Sequence, residues 1–208
     1  MSILRKVGSS NPLLAKSGGP VRAVTVGFGW DNQPGRRVAD GDISALYVTG
    51  DPHQPQTLRT TNPDILKSFV FYNNKTSYDG AIQHFGDNKD GFGPGIAEMF
   101  QIDLTRVPMY DPYSRLPIAG LLIMVSIHNG DEDNLELDEL VNAFTVVTDV
   151  DNRMELNRRD IDEGFPGSRS ACIGGMFRQP NGTWNWDRLT LGFHDELEAP
   201  LRYFGVAV

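Results

Sequence analysis

Leu121-Leu-Ile-Met-Val125 is an almost unbroken apolar run near the middle of the chain. Strands that are buried on both faces have this pattern, because neither face of the strand meets water. Ser68-Phe-Val-Phe-Tyr72 has the same character. The two runs therefore predict a sheet that is covered on both sides.

Further β-prone segments surround these runs. Val21-Arg-Ala-Val-Thr-Val26 and Phe144-Thr-Val-Val-Thr148 are rich in β-branched residues, which favour strands. The 22 glycines and 13 prolines separate short segments of this kind, and many short strands with frequent turns are typical of a sandwich or barrel. The pattern predicts an all-β chain with strands at residues 21–28, 44–48, 68–72, 81–85, 98–104, 120–128, 142–150, 154–159, 171–178 and 184–193.

Helical periodicity is scarce, and we predict only one short helix, at residues 134–141, with Asn134 as its N-cap. No repeat or linker divides the chain, so we expect a single domain over residues 1–208. The Gly- and Ser-rich segment 1–20 is expected to be loosely held or used in contacts. Residues 50–63 contain three prolines and are predicted to form a long surface loop.

The charge balance excludes several classes of partner. The chain has 27 acidic and 19 basic residues and a formal net charge of −8. Binding to nucleic acid or to anionic lipid needs a basic surface, so neither is expected. Cys172 is the only cysteine, which excludes an internal disulfide and a Cys-rich zinc site. An acidic chain does suit a divalent cation if some carboxylates converge.

The first ten residues lack the apolar core of a signal peptide. The strongest apolar stretch, residues 118–127, is too short to span a bilayer. We therefore expect a cytoplasmic protein with no membrane insertion.

Asp87-Asn-Lys-Asp-Gly-Phe-Gly-Pro-Gly-Ile-Ala-Glu98 is the most unusual segment. Calcium takes six to eight oxygen ligands, including backbone carbonyls, and glycines let a loop curl so that such oxygens point inward. The segment is not an EF-hand, because Phe92 stands where that loop needs glycine. On its own it fits a polar Gly-rich turn at least as well as a cation site.

Two further segments carry oxygen ligands. Asp40 and Asp42 are one residue apart, so on a strand their side chains share a face; alone, the pair also fits a solvated strand start. Asn73 and Asn74 follow the apolar run that ends at Tyr72. Asparagines at a strand end can ligate a cation, but they also form ordinary turns.

Taken together and in order, these motifs resemble the TerD family over about residues 21–193. The resemblance implies a two-sheet β-sandwich with few short helices, calcium binding, and a non-enzymatic role in bacterial stress responses that include tellurite resistance. The motifs that carry it are Gly27-Phe-Gly-Trp-Asp31, Asp40-Gly-Asp-Ile-Ser-Ala45, Phe69-Val-Phe-Tyr-Asn-Asn74, Asp79-Gly-Ala-Ile-Gln-His-Phe-Gly-Asp-Asn88, Gly91-Phe-Gly93, Glu98, Val107-Pro108 and Ile123-Met-Val-Ser-Ile-His128.

The resemblance also implies a set of calcium ligands, carried over position by position. They are Asp40, Asp42, Asn73, Asn74, Asp87, Asn88, Gly93 and Glu98. One departure from the family pattern reduces the number of calcium ions that we expect. The family usually has an acidic run just before the final Glu, and here Pro94-Gly-Ile-Ala97 replaces it. We therefore expect one Ca²⁺ ion rather than two, held toward the weak end of the roughly 10⁻⁹ to 10⁻³ M range.

No nucleophile elbow, P-loop or dinucleotide fingerprint is present, so we do not expect an enzyme. We expect protein partners or a homo-oligomer. An alternative is a structural or assembly component of a bacteriophage virion built on a TerD-like domain. The altered acidic run and the extra residues near 50–63 and 131–139 motivate that alternative.

Overall fold

A computed structural model describes residues 3–31, 39–86, 95–128, 130–161 and 164–208 of the chain. The predicted site residues Asp87, Asn88 and Gly93 lie outside the described residues.

The described chain forms two antiparallel sheets and three short α-helices. One sheet has seven strands in the order β1-β12-β11-β8-β3-β4, with β5 also paired to β3; the other has the order β10-β9-β2-β7-β6. The predicted all-β two-sheet sandwich is confirmed. The elements are β1 (Ile3–Pro12), β2 (Ala23–Asp31), β3 (Asp40–Thr49), β4 (Arg59–Thr60), α1 (Ile65–Ser68), β5 (Phe69–Val70), β6 (Ile82–His84), β7 (Glu98–Asp103), β8 (Gly120–His128), α2 (Gly130–Asp133), β9 (Val141–Asp149), β10 (Glu155–Asp160), β11 (Ser170–Arg178), β12 (Trp184–Phe193) and α3 (Glu198–Phe204).

The seven-stranded sheet is buried on both faces, as the apolar run at 121–125 predicts. Leu121, Ile123 and Val125 of β8 belong to the core between the two sheets. Leu122 and Met124 belong to a second core on the outer face of the same sheet. Because strand side chains alternate between faces, a strand with two apolar faces needs apolar residues at every position.

The C-terminal helix α3 covers the outer core. Its Leu201 and Phe204 are each 2% exposed and pack in the cluster that also contains Leu189 and Leu191 of β12. Gly205 ends the helix with φ of 89°, a left-handed conformation that glycine adopts without strain. None of the helices in the described ranges has the length and apolarity needed to cross a bilayer.

Arg159 of β10 ties the two sheets together. Its guanidinium donates to the carbonyl oxygens of Ile173 and Leu189 and, at 2.8 Å, to Thr190 Oγ1. These acceptors lie where the pairing of β11 with both neighbouring strands shifts register, between Cys172 and Gly174. Burial, with a smaller contribution from the charge of Arg188, lowers the pKa of Arg159 to about 10. The guanidinium thus donates hydrogen bonds to carbonyl oxygens that have no partner in the irregular strand pairing.

The acidic segment near residue 134 differs from its prediction. The predicted helix at 134–141 is absent: α2 ends before Asn134, a 3₁₀ turn covers Leu137–Glu139, and β9 starts at Val141. Asn134 has φ of 52°, so it terminates a helix in the left-handed region instead of capping a new one. The segment is held by Leu137, which is fully buried in the core between the sheets.

Three other segments also differ from expectation. In the segment up to Pro20, which we expected to be loosely held or used in contacts, Ile3–Pro12 forms β1, which pairs with the edge of β12. The strand predicted at 68–72 is only Phe69–Val70, because Asp64 caps α1 directly before it by accepting from the Leu66 N–H at 3.1 Å. The predicted surface loop at 50–63 contains a 3₁₀ turn and β4.

Candidate functional site

The Asp-Gly-Asp motif opens β3. Strand alternation places Asp40 and Asp42 on the outer face, the face of the second core, as their spacing predicts. Asp42 is 5% exposed. Gly41 between them faces the other sheet, where a Cβ atom would lie 2.9 Å from the ring of Phe28 and 3.1 Å from that of Trp30. The glycine therefore lets these two aromatic rings approach the strand.

On the edge of β3 that faces away from β8, two side chains rather than a strand form hydrogen bonds with the backbone of Ile43. Its N–H donates to Glu98 Oε2 at 3.0 Å. Its carbonyl oxygen lies 3.2 Å from His84 Nε2. The side chains of His84 and Glu98 are fully buried, and His84 Nε2 is 3.8 Å from Glu98 Oε2. These two residues of β6 and β7 connect the five-stranded sheet to β3.

The hydrogen bonds of His84 fix its tautomer. The Gly86 N–H donates to His84 Nδ1 at 3.1 Å, so that nitrogen is an acceptor. Nε2 therefore carries the proton and donates to the Ile43 carbonyl. This arrangement satisfies both ring nitrogens and gives His84 a structural role.

The Tyr72-Asn73-Asn74 segment forms a tight turn after β5. The Asn74 side-chain amide donates to the Phe69 carbonyl at 2.6 Å and to the Leu66 carbonyl at 3.3 Å. Phe71 and Asn74 also exchange backbone hydrogen bonds, and Asn73 is exposed at the tip. Asn74 thus closes the turn with its nitrogen.

The same turn approaches the start of β3. The Tyr72 ring meets the His128 ring edge-on at 5.8 Å, and His128 lies opposite Asp40 in the β3–β8 ladder. Tyr72 and Asp42 also line one open cavity of about 430 Å³, here called the α3 cavity. Its other lining residues are Ile65, Phe69, Phe71, Ser126, Ile127, His128, Glu196, Leu197, Glu198, Leu201, Arg202 and Val208.

The sequence prediction missed the α3 cavity because it missed α3. Leu197, Leu201 and Phe204 have the spacing of one helical face, and this signal marks the helix. Pro200 argues against a helix in the sequence pattern. In the first turn, however, a proline removes only an N–H that has no partner within the helix.

Comparison with known proteins gives a result that covers the whole described fold. The sequence-family model of the TerD domain matches residues 3–204 of the chain. The chain belongs to the TerD family. It is 29% identical to the uncharacterized protein YceE of Bacillus subtilis over 208 residues, all of both chains. It is 28% identical to the tellurium resistance protein TerD of Serratia marcescens over 198 residues, 94% of each chain.

A third relative is the chemical-damaging agent resistance protein B of Clostridium acetobutylicum. It is 33% identical over 140 residues, 67% of this chain and 95% of that one. A crystal structure of a TerD homologue from Streptomyces coelicolor A3(2) has the same fold, with a TM-score of 0.68 and 24% identity over 90% of this chain and 99% of that chain. None of these names points to a virion component.

In this TerD-family chain, the predicted ligands fall into three groups. Asp40 and Asp42 lie on the outer face of β3, whereas Glu98 approaches β3 from the inner side at Ile43. Asn73 and Asn74 lie in the turn beside the α3 cavity. Within residues 3–31, 39–86, 95–128, 130–161 and 164–208, no three His, Cys, Asp or Glu side chains cluster closely enough to hold a metal ion. The described residues thus supply only part of the six to eight oxygens that calcium takes.

Proposed function

We propose that this protein is a calcium-binding, non-enzymatic stress-response module of the tellurium-resistance type that acts through protein contacts. One observation carries the calcium part of the proposal. The three segments that the sequence singled out approach the same end of β3: the Asp pair lies on it, Glu98 bonds to Ile43, and Tyr72 shares a cavity with Asp42.

The donor chemistry of these residues suits calcium. Carboxylate oxygens are hard ligands of the kind that calcium takes, and Asp42 and Glu98 each carry two of them. Asp42 lies on the outer face of β3, and Glu98 meets the edge of the strand at Ile43, so an ion shared between them would lie at that edge. Asp87, Asn88 and Gly93, outside the described residues, are the proposed source of the remaining oxygens. With so few carboxylates, we propose a single, weakly held ion.

The stress-response part of the proposal rests on family membership and on the names of the relatives. The family match spans residues 3–204, and relatives that match most of this chain are named for tellurium resistance and for general stress. A role of this kind in the present protein predicts that loss of its gene lowers survival under tellurite or chemical damage.

The protein-contact part is supported by an exposed apolar surface. Met109, Tyr110 and Tyr113, in the connection between β7 and β8, are 57%, 60% and 55% exposed, and nearby Leu116 is 42% exposed. Exposed apolar side chains gathered in one connecting segment are candidates for an interaction site. Replacing Tyr110 and Tyr113 with serine is expected to reduce co-purification of partners or self-association without lowering the melting temperature.

Calcium titration with thermal melting tests the cation site. A ligand that binds only the folded state stabilises it, by about 1.4 kcal/mol at ten times Kd, which corresponds to a rise in Tm of about 3–6 °C. Asp42→Asn and Asp87→Ala are expected to abolish this rise. The matched control is Asp151→Asn, an exposed aspartate in the β9–β10 turn that should retain it. If calcium up to millimolar concentrations leaves the wild-type Tm at its value in chelator, the proposed site does not exist.

A further inference from the structure

A part of β12 that is open to solvent lies beside the buried guanidinium of Arg159. Arg159 is 4% exposed and reaches β12 from the other sheet, where it donates to Thr190 Oγ1 at 2.8 Å. Its own strand, β10, is the edge of the five-stranded sheet. Beside that edge Thr190 is only half-buried, and Arg188 is exposed. We call Arg159, Arg188 and Thr190 the arginine shelf.

Arg188 lies on the same face of β12 as the guanidinium of Arg159. It is the partner of Gly174 in the ladder with β11, and residues directly opposite each other in a ladder share a face. A Cβ atom on Gly174 would lie 2.5 Å from the ring of Trp186, which belongs to the core between the sheets. Arg188 therefore starts on the inner face of the seven-stranded sheet, which is the face that Arg159 reaches.

Neither arginine has a carboxylate partner. Within the described residues, Arg159 and Arg188 form no ion pair. Asp187 precedes Arg188 but lies opposite Gly175. A Cβ atom on Gly175 would meet the ring of Phe177 in the outer core, so Asp187 starts on the other face of the sheet. Two arginines thus lie near each other without an anion between them, in a chain whose net charge is −8.

The electrostatics of Arg159 agree with this arrangement. Burial, followed by the charge of Arg188, lowers the pKa of Arg159, and no carboxylate of the described residues raises it. A buried charge costs free energy unless an opposite charge compensates it. An anion bound beside the two guanidinium groups would remove part of that cost.

The shelf also has hydrogen-bond donors to spare. The guanidinium of Arg188 donates to none of the described residues. Thr190 Oγ1 accepts from Arg159, so its own O–H points away from that guanidinium and can donate to another group. The Nε atom of Arg159 is buried and has no partner among the described residues. Guanidinium and hydroxyl donors together suit an oxyanion, which only accepts.

From these features we propose that the arginine shelf binds a small dianionic oxyanion, such as sulfate or a phosphate group. Arg188 binds it with the planar fork of its guanidinium, and Thr190 donates its hydroxyl. Arg159 contributes its charge from the buried side, without direct contact. The site needs no calcium, because β11 and β8 separate β12 from β3 in the sheet.

Sulfate titrated into ¹⁵N-labelled protein tests the site, with chloride at equal ionic strength as the reference for screening. Chelator is present throughout, so the outcome is independent of the proposed calcium site. We expect sulfate to bind at least about tenfold more tightly than chloride, with amide shifts centred on residues 187–191 and on Arg159. Equal effects of the two salts, or shifts centred elsewhere, would overturn the proposal.

Variants separate the charge of the shelf from the charge of the whole protein. Arg188→Gln is expected to weaken sulfate binding about tenfold, and Thr190→Val about threefold. Arg158→Gln is the matched control, because it removes the same charge from an exposed arginine that stacks on Phe144 and, by strand alternation, lies on the opposite face from Arg159. An equal loss in the control, or no loss in Arg188→Gln, contradicts the inference.

Phenyl phosphate distinguishes a free oxyanion from the phosphate group of an organic molecule. Because the shelf is open to solvent at Arg188, we expect phenyl phosphate to bind within about threefold of inorganic phosphate. Binding of inorganic phosphate alone would support the site and identify a free oxyanion as its ligand. Binding of neither, or binding that Arg188→Gln leaves unchanged, contradicts the proposal.

Discussion

Glu98 Oε2 accepts a hydrogen bond of 3.0 Å from the backbone N–H of Ile43, and so joins the first residue of β7 to β3 in the opposite sheet. Both groups are buried, and 55 residues separate them along the chain. Glu98 is also a proposed calcium ligand, so its structural and its cation-binding roles must be measured separately.

We predict that Glu98→Ala lowers the free energy of unfolding by about 2–3 kcal/mol even without calcium, because the Ile43 N–H is left buried without an acceptor. Glu98→Gln keeps an acceptor of similar size and is expected to lose less than half as much. Urea unfolding in chelator measures both values. Equal losses in the two variants would show that charge, not the hydrogen bond, stabilises the contact.

Arg159→Met is predicted to destabilise the fold by about 3 kcal/mol, because two buried carbonyl oxygens and the half-buried Thr190 Oγ1 on β11 and β12 lose their donor. Arg159→Lys should recover only part of this loss, since one ammonium cannot reproduce the planar fork of a guanidinium. The control is Arg158→Met. Arg158 is exposed and stacks on Phe144 at 3.7 Å, so its replacement should cost less than about 1 kcal/mol. Similar losses at the two positions would contradict the assigned role.

Gly41→Ala is predicted to cost about 1–3 kcal/mol by overpacking against Phe28 and Trp30. Gly19→Ala serves as the control, because the nearest atom to its added methyl group is Ser17 Oγ at 3.7 Å, an ordinary contact. Melting temperatures in chelator compare the two. If Gly41→Ala and Gly19→Ala have the same melting temperature, the close packing of Trp30 on β3 is not needed for stability.

Because Cys172 is buried, the free energy of unfolding is expected to fall at alkaline pH. Complete burial raises the pKa of its thiol from 9.0 to about 12. The folded state therefore keeps a proton that the unfolded state loses above pH 9, so stability falls as pH rises through this window. Between pH 8 and pH 10 we expect wild type to lose about 1.4 kcal/mol more than Cys172→Ala. Burial also raises the pKa of Tyr47 and Tyr78, but both proteins retain those groups. Parallel pH profiles for wild type and variant would contradict the prediction.

Much of the sandwich could be predicted because its strands have clear periodicity. The limits predicted for β8 and β12, 120–128 and 184–193, match the structure, since apolar residues continue to each end. β1 could not be predicted in this way, because its backbone bonds to β12 depend on an available edge and not on a local pattern. Asn134 misled the prediction because asparagine favours both N-caps and left-handed helix ends.

The site was predictable in its parts but not in its arrangement. The spacing of Asp40 and Asp42 alone places their side chains on one face of β3. Glu98 reaches Ile43 of β3 from the other sheet. This contact depends on how the two sheets stack, which no local sequence pattern encodes. The predicted ligands Asp87, Asn88 and Gly93 lie outside the described residues and remain predictions.

The pairing of Ile43 by two side chains has a consequence for association between copies of the chain. β5 and β4 pair with this edge of β3 only from Ala45 onward, at Ala45 and Leu46 and at Val48 and Thr49, so the N–H and C=O groups of Ile43 would otherwise be free. Such groups are a template for strand addition by another molecule, and with it for aggregation. His84 and Glu98 occupy both groups of Ile43, and thereby close this edge to edge-to-edge association without adding a strand.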